Sequence, residues 1–510
     1  MSKIELARVA LRLRPEDNVA VALRRLPAGM VLSASCGDIT VAADIPPGHK
    51  LALAEIGPQE PIRKYGEVIG FAPRRIVPGE HVHTHNVRAE RFERDYASSS
   101  QVPASRTAEH RHYFLGYSRG DGRYGTRNYI AVVSTVNCSA STSKYIAARV
   151  HESGILRRYP QVDGVLPLTH KSGCGMQFEG PDHDQLERTL AGFAGHANVA
   201  ACVVVGLGCE IAQALHLLQG QHLSGRPVHV LTIQGCGGIG RTIEAGVRAV
   251  AELLPRVNYC HRVRAPASAL ILGTQCGGSD GYSGITGNPA LGYAADLLVA
   301  QGGTVVLAET PEIYGAEHLL TRRAVTPQVA EKLLERIRWW EWYVSLFGAQ
   351  LDNNPTPGNK EGGITTIYEK SLGAIAKAGT SALVDVVRYA EPIRARGLVV
   401  MDTPGYDPVS MTGLVAGGAN ILAFTTGRGS VYGCKPVPCL KIATNSLLFE
   451  HMQDDMDINA GRILEGATLP EVGEDIFRSL LEVASGKKTK SELQGVGEEE
   501  FAPWSLGPVL

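Results

Sequence analysis

Thr274-Gln-Cys-Gly-Gly-Ser-Asp-Gly-Tyr-Ser-Gly-Ile-Thr-Gly-Asn288 is the stretch on which the reading of the fold turns. A short apolar run, Ala269-Leu-Ile-Leu272, precedes it and reads as a buried strand. The segment 289–300 follows and reads as a helix, with Asn288 at the N-cap and Pro289 in the first turn. Between them lie five glycines, one thiol, one carboxylate and several hydroxyls. A simple βα connection needs only about 2–6 residues. A polar loop of roughly fifteen, at a strand–loop–helix junction, is where open α/β sheets place their ligands.

The same theme recurs upstream. Ile130-Ala-Val-Val133 leads to Cys138, Gly164-Val-Leu-Pro-Leu168 to His170-Lys-Ser-Gly-Cys174, and Val199–Val205 to Gly206-Leu-Gly-Cys-Glu210. Val228–Ile233 leads to Gly235-Cys-Gly-Gly-Ile-Gly240. With helical segments between them these are βα units of a parallel sheet, and five cysteines, Cys276 included, are expected just past strand ends. Further strands deliver Glu309-Thr-Pro-Glu312, Asp402 and Thr425-Thr-Gly-Arg-Gly-Ser430. The tryptophans of 327–346 are expected to pack rather than bind.

The first 86 residues differ in texture. Short alternating segments punctuated by Pro and Gly predict a small, turn-rich β domain. It ends in His81-Val-His-Thr-His-Asn86, whose alternation along a strand would put three histidines on one face. A metal or anion site and a solvated edge strand are equally compatible with that pattern. Residues 87–112 lack apolar periodicity and read as a linker. Lys360, in a glycine-flanked polar loop, suits carboxylate or phosphate capture.

Composition narrows the class. Fifty basic residues stand against fifty-one acidic ones in 510, which argues against nucleic-acid and membrane-surface binding. No apolar run reaches spanning length and the start lacks a signal-peptide core, so a cytoplasmic protein is expected. Ten cysteines in that compartment imply reduced thiols or metal ligation rather than disulfides. Gly235–Gly240 matches the G-x-G-x-x-G dinucleotide fingerprint and so offers an NAD-linked oxidoreductase as the alternative. The acidic residue due about twenty positions on is absent, however, and the region reads Tyr259-Cys-His-Arg-Val-Arg264.

Taken together, Lys64-Tyr-Gly66, His83-Thr-His-Asn86, Gly125-Thr-Arg-Asn128, His170 with Cys174, and Gly206–Glu210 resemble the altronate/galactarate dehydratase family. So do Gln275–Gly281, Glu309 to Glu317, Pro357–Lys360 with Gly362-Gly363, and Thr426–Gly429. The resemblance implies a SAF-like β-clip domain at 1–90, a linker at 91–112, an α/β middle domain at 113–263 and a Rossmann-like domain with a parallel sheet at 264–510. It also implies iron under reducing conditions and dehydration of an aldonate or aldarate to a 2-keto-3-deoxy acid. A sulfite-eliminating lyase is a related branch. The expected partners are a small sugar acid and a second copy of the chain, as a homodimer.

Such a reaction removes a proton beside a carboxylate and expels hydroxide from the next carbon. It needs a base, a cation for the enediolate and a Lewis or general acid for the leaving group. Thiolates suit Fe2+ or an Fe–S cluster, and Cys138, Cys174 and Cys276 are the first candidates, with Glu309 or Asp280 as a carboxylate ligand and Cys209 as a substitute. His170 is the expected base, with Lys171 beside it and Glu210 as a further catalytic carboxylate. Substrate contacts are expected from Lys64, His83, His85, Asn86, Arg127, Asn128, Ser279, Asp280, Lys360 and Arg428. Lys50, Lys64, Lys377 and Arg428 are the candidates for clamping a second carboxylate.

Overall fold

The computed structural model describes residues 3–35, 37–210 and 225–507. Its N-terminal part is a small β domain of short strands joined by Pro/Gly turns, as the alternation predicts. Four of them, Ala10–Leu11, Val19–Ala22, Lys50–Ala52 and His81–Val82, form one antiparallel sheet. Apolar residues such as Leu26, Leu32, Ile45 and Leu51 fill its interior. The histidine segment is strand only through Val82; a turn follows, in which Asn86 Oδ1 accepts the His83 N–H.

The segment 89–112 contains no helix or strand and lies along the C-terminal unit, where Ser99 N–H donates to Thr321 O. The chain then enters the α/β middle unit through strand Tyr113–Ser118 and leaves it through Arg262–Pro266, and these two strands pair antiparallel. Between them, β1 (Tyr129–Ser134), β2 (Gly164–Leu168), β3 (Val199–Gly206) and β4 (Val228–Thr232) form an all-parallel sheet in the order β2-β1-β3-β4. The central strands β1 and β3 are buried, largely Val/Ile/Ala runs because helices cover both faces.

The Rossmann-like C-terminal sheet has seven parallel strands: β5 (Ile271–Cys276), β6 (Thr304–Leu307), β7 (Leu383–Val387), β8 (Gly397–Met401), β9 (Ile421–Thr426), β10 (Cys439–Ala443) and β11 (Ile458–Asn459). Their order is β7-β8-β6-β5-β9-β10-β11. The chain leaves β5 toward β6 on one side, and β9 returns on the other, so the loops after β5 and β9 diverge at a topological switch point. That is where the polar stretch 277–287 lies. Trp340, at the end of helix Pro327–Ser345, is buried and stacks on Trp504 of the tail.

Two expectations change. The strand runs on through Cys276, so this thiol sits inside the sheet edge and is buried, not past it. Gly235–Gly240 does not form a strand–glycine-loop–helix junction. A short helical turn, Ile233–Cys236, takes up the first glycine, and the segment follows β4, an edge strand. The geometry therefore lacks the direct strand-to-loop approach that a pyrophosphate requires.

Candidate functional site

The β domain closes on the C-terminal edge of the large sheet, and the closest approach is backbone on backbone. Gly281 N–H donates to Gly362 O at 2.7 Å, and a Cβ on Gly281 or Gly363 would overlap the Gly48 carbonyl oxygen. Lys50 and Lys64 cross the same seam. Both donate to the Glu369 carboxylate, at 2.8 and 2.9 Å, and Lys50 also donates to Gly363 O. Burial works against all three charges. The two ammoniums nevertheless hold Glu369 well below the usual carboxylate range, and Glu369 holds Lys64 above its ordinary value. Lys50, with less compensation, is pulled down by burial to about 8.

Above this seam stand three imidazoles. His49, His81 and His83 each offer one ring nitrogen, and these atoms lie within 4.8 Å of one another. His49 Nε2 is 3.0 Å from the Glu361 carbonyl oxygen, which can only accept, so Nε2 carries the proton and Nδ1 presents its lone pair. This is the orientation that a carbonyl behind a metal-ligating histidine imposes. His49 Nδ1 lies 3.0 Å from His81 Nε2, and the buried His83 Nδ1 has no hydrogen-bond partner. Burial, with Lys50 and the neighbouring rings, pushes His81 down to about 4 and His83 to about 3. All three are neutral near pH 7, the form that binds metals. An orphaned buried nitrogen beside two ring nitrogens that share one proton across 3.0 Å fits a divalent cation, which would take that proton's place.

A second constellation lies beneath, at the ends of β5 and β6. Cys276 Sγ, Glu309 and Glu312 also meet the spacing for a metal. There the cationic place is already taken. Lys377 Nζ donates to Cys276 Sγ at 2.7 Å and to Glu309 Oε2 at 2.6 Å, while Lys370 holds Glu312 at 2.7 Å. Burial pushes the Cys276 thiol up, and burial with Glu312 and Asp407 pushes Glu309 up to about 8 against the pull of Lys377. Glu309 has a φ of +65°, a strained conformation for a non-glycine residue that this network must hold in place.

Loop 277–283 threads from this network to the histidines. Gly427 and Arg428 donate their N–H groups to Gly278 O, joining the loops after β5 and β9. Asp280 is bound by Ser283, Thr444 and Asn445, and Ser279 Oγ is buried without a partner. Arg428 reaches Glu361 at 3.2 Å on the short helix that also carries the half-buried Lys360. His85 is exposed, its ring centroid 5.5 Å from that of His81. Asn86 donates to Glu80 and His81 O and so braces the histidine turn.

The structure thus brings His83, His85, Ser279, Asp280, Lys360 and Arg428 to the seam between the β domain and the large sheet, while Lys64 and Asn86 are buried in it and bonded to Glu369 and to Glu80 and His81 O. The other sequence candidates lie apart. Arg127 spends all five of its N–H groups on Glu492, Thr126 O, Val483 O and Lys487 O, so it has no donor left for a substrate. Asn128 is likewise bonded to Gln161 O, Val257 O and Arg119. His170, Lys171, Glu210, Cys138 and Cys174 lie at the edge of the middle sheet, so the four expected metal ligands divide between two sheets. His170 is buried with Nε2 on Ser134 O and Nδ1 on the Ser172 N–H, and burial pushes it down to about 4, leaving no free nitrogen for a base. Glu210 clasps Gly208 N–H, Leu207 N–H and Thr135 Oγ1. His49, Glu312, Glu369 and Lys370 were not assigned roles from the sequence; the one local signal for His49 was its place after the Pro-Pro-Gly turn.

Comparison with known proteins agrees with this architecture segment by segment. Residues 8–90 match the altronate/galactarate dehydratase SAF domain, 116–258 the D-galactarate dehydratase/altronate hydrolase second domain, and 267–509 the D-galactarate/altronate dehydratase C-terminal domain. The chain is 37% identical to altronate dehydratase of Bacillus subtilis, over 94% of this chain and 96% of that one. It is 37% identical to galactarate dehydratase (L-threo-forming) of Escherichia coli, over 98% and 97%. It is 32% identical to the (2R)-sulfolactate sulfo-lyase β subunit of Chromohalobacter salexigens, over 76% of this chain and 96% of that one. No described helix is long and apolar enough to cross a membrane. With its SAF-type β domain closed over a parallel-sheet edge and a candidate metal site at the seam, the chain belongs to the altronate/galactarate dehydratase family of sugar-acid lyases.

Proposed function

We propose that this chain dehydrates an aldonate or aldarate, of the altronate or galactarate type, to a 2-keto-3-deoxy acid in the crevice between His49/His81/His83 and the loops after β5 and β9. We further assign ferrous iron as the metal of the histidine triad. The orphaned His83 Nδ1, beside a His49 ring whose tautomer the Glu361 carbonyl fixes, is the observation that supports the reading best. Bound there, ferrous iron supplies Lewis acidity toward a substrate oxygen.

The chain's own groups have separate tasks. Arg428, on the loop after β9, and Lys360, on the neighbouring short helix, bind carboxylate. Ser279 Oγ offers a hydrogen bond to a substrate hydroxyl. His85, the exposed imidazole next to the triad, takes the proton from the carbon beside the carboxylate. The seam of Gly48, Lys50, Gly281 and Gly363 holds the β domain down and limits water.

The test is anaerobic loading of the purified chain with Fe2+, followed by a panel of aldonates and aldarates assayed for 2-keto-3-deoxy product. Turnover that depends on His81 is expected, and absence of product from every acid overturns the reading. Elimination of sulfite is the second reading, supported by the likeness to the sulfo-lyase subunit. Sulfolactate in the same panel separates the two.

A further inference from the structure

The edge of the middle sheet carries a separate set of thiols. β1, β2 and β3 are adjacent and parallel, and each is followed closely by a cysteine: Cys138, Cys174 and Cys209. All three are exposed and free, whereas Cys202, Cys276, Cys434 and Cys439 are buried. The loops that carry them are stitched together. Asn137, next to Cys138, donates its N–H to Ser172 O and its Nδ2 to His170 O, two and four residues before Cys174. Glu210, next to Cys209, accepts from Thr135 Oγ1 at 2.7 Å, three residues before Cys138. Gly173 is pressed so tightly on this edge that a Cβ would overlap the Thr135 carbonyl oxygen.

We propose that Cys138, Cys174 and Cys209 hold an iron–sulfur cluster at the edge of the middle sheet, a second metal centre distinct from the histidine triad. Three features favour it. Cys138 is the second residue of helix Asn137–Glu152, at the helix end whose dipole suits an anionic cluster. Gln234 Nε2 donates to Cys209 Sγ at 3.5 Å, the kind of contact that tunes cluster sulfurs. A lone zinc ion needs sulfurs about 2.3 Å from one point, hence about 4 Å apart. Among the described residues these three do not form a group within 4.8 Å, so the centre proposed is a larger, multi-iron body and not one ion. Three protein thiolates also leave one iron of a four-iron cluster without a protein ligand.

The full chain is reconstituted anaerobically with ferrous iron and sulfide, and acid-labile sulfide, iron and visible sulfide-to-iron absorbance are measured. The expected result is labile sulfide in wild type and in Cys276→Ala, and its complete loss in Cys138→Ala and Cys209→Ala, with secondary structure unchanged. A His49→Ala/His81→Ala variant keeps the sulfide and loses only the triad's metal, so this proposal and the dehydratase reading fail separately. As a measurement free of mutation, iodoacetamide labels Cys138, Cys174 and Cys209 in the apo chain and not in the loaded one. Absence of labile sulfide from wild type, its retention when all three cysteines are replaced, or tight zinc without sulfide overturns the proposal.

Discussion

His49 and His83 face each other at the ends of two antiparallel strands, their ring centroids 4.7 Å apart. The register sets this. Lys50 pairs with Val82 and Leu51 with His81, so one further step places His49 across from His83. Alternation brings His81 to the same face, and the triad follows from strand pairing, not from any run of sequence.

If the triad is the metal site, His81→Ala lowers affinity for Fe2+ or the reporter Co2+ by at least about tenfold. Cys276→Ala leaves that affinity unchanged, because Lys377 already occupies the cationic place among Cys276, Glu309 and Glu312. Metal titration of the two variants checks this, and the opposite ranking would move the site to the buried network.

Gly281→Ala wedges the seam open, since its Cβ would overlap the Gly48 carbonyl oxygen. Turnover should fall by about tenfold or more, as expected when catalytic groups are misplaced by about 1 Å. The melting profile of the large sheet should be retained, because the clash lies outside its core. Steady-state rates and circular dichroism on the same sample report both.

Glu369→Gln removes the one carboxylate that compensates two buried ammoniums. Breaking a buried charge group on one side costs about 3–5 kcal/mol. A lowered thermal midpoint is expected, partly restored by adding Lys50→Met. A midpoint like that of wild type would show that the seam contributes little to stability.

Acid should destabilise the chain through His196. It is fully buried, with Nε2 on Ala419 O and Nδ1 accepting the Asn198 N–H, and burial pushes it down to about 3. Unfolded, it titrates near about 6.5. Between these values the unfolded chain holds one more proton, so stability rises with pH by about 1.4 kcal/mol per unit. That contribution is fully present above about pH 6.5 and is lost as pH falls toward about 3. Urea midpoints measured from pH 7.5 to 5 should show a shallower pH dependence for His196→Gln than for wild type.

Local order in the chain was legible because period and punctuation are local. Alternation with Pro/Gly turns announced the β domain, and repeated apolar runs ending in polar loops announced the parallel sheets. The loop after β5 stood out by its glycines, which allow backbone to meet backbone at Gly48, Gly362 and Gly427. The same motif reading led astray at Arg127 and His170. A polar side chain at a strand end looks alike in sequence whether it faces a crevice or caps a neighbouring backbone, and here the donors of Arg127 are consumed by Thr126 O and by residues 483–492.

By itself, then, the sequence determined the layers, the order of strands along the chain and the residue types available near their ends. Only the tertiary structure decided which strand ends share a site. It separated Cys138 and Cys174 from Cys276, because βα units with the same local pattern joined two different sheets. It supplied His49 through cross-strand register and Glu369 through the seam, contacts between residues far apart in the chain. Local periodicity carries no information about such pairings; they are set by how whole elements pack.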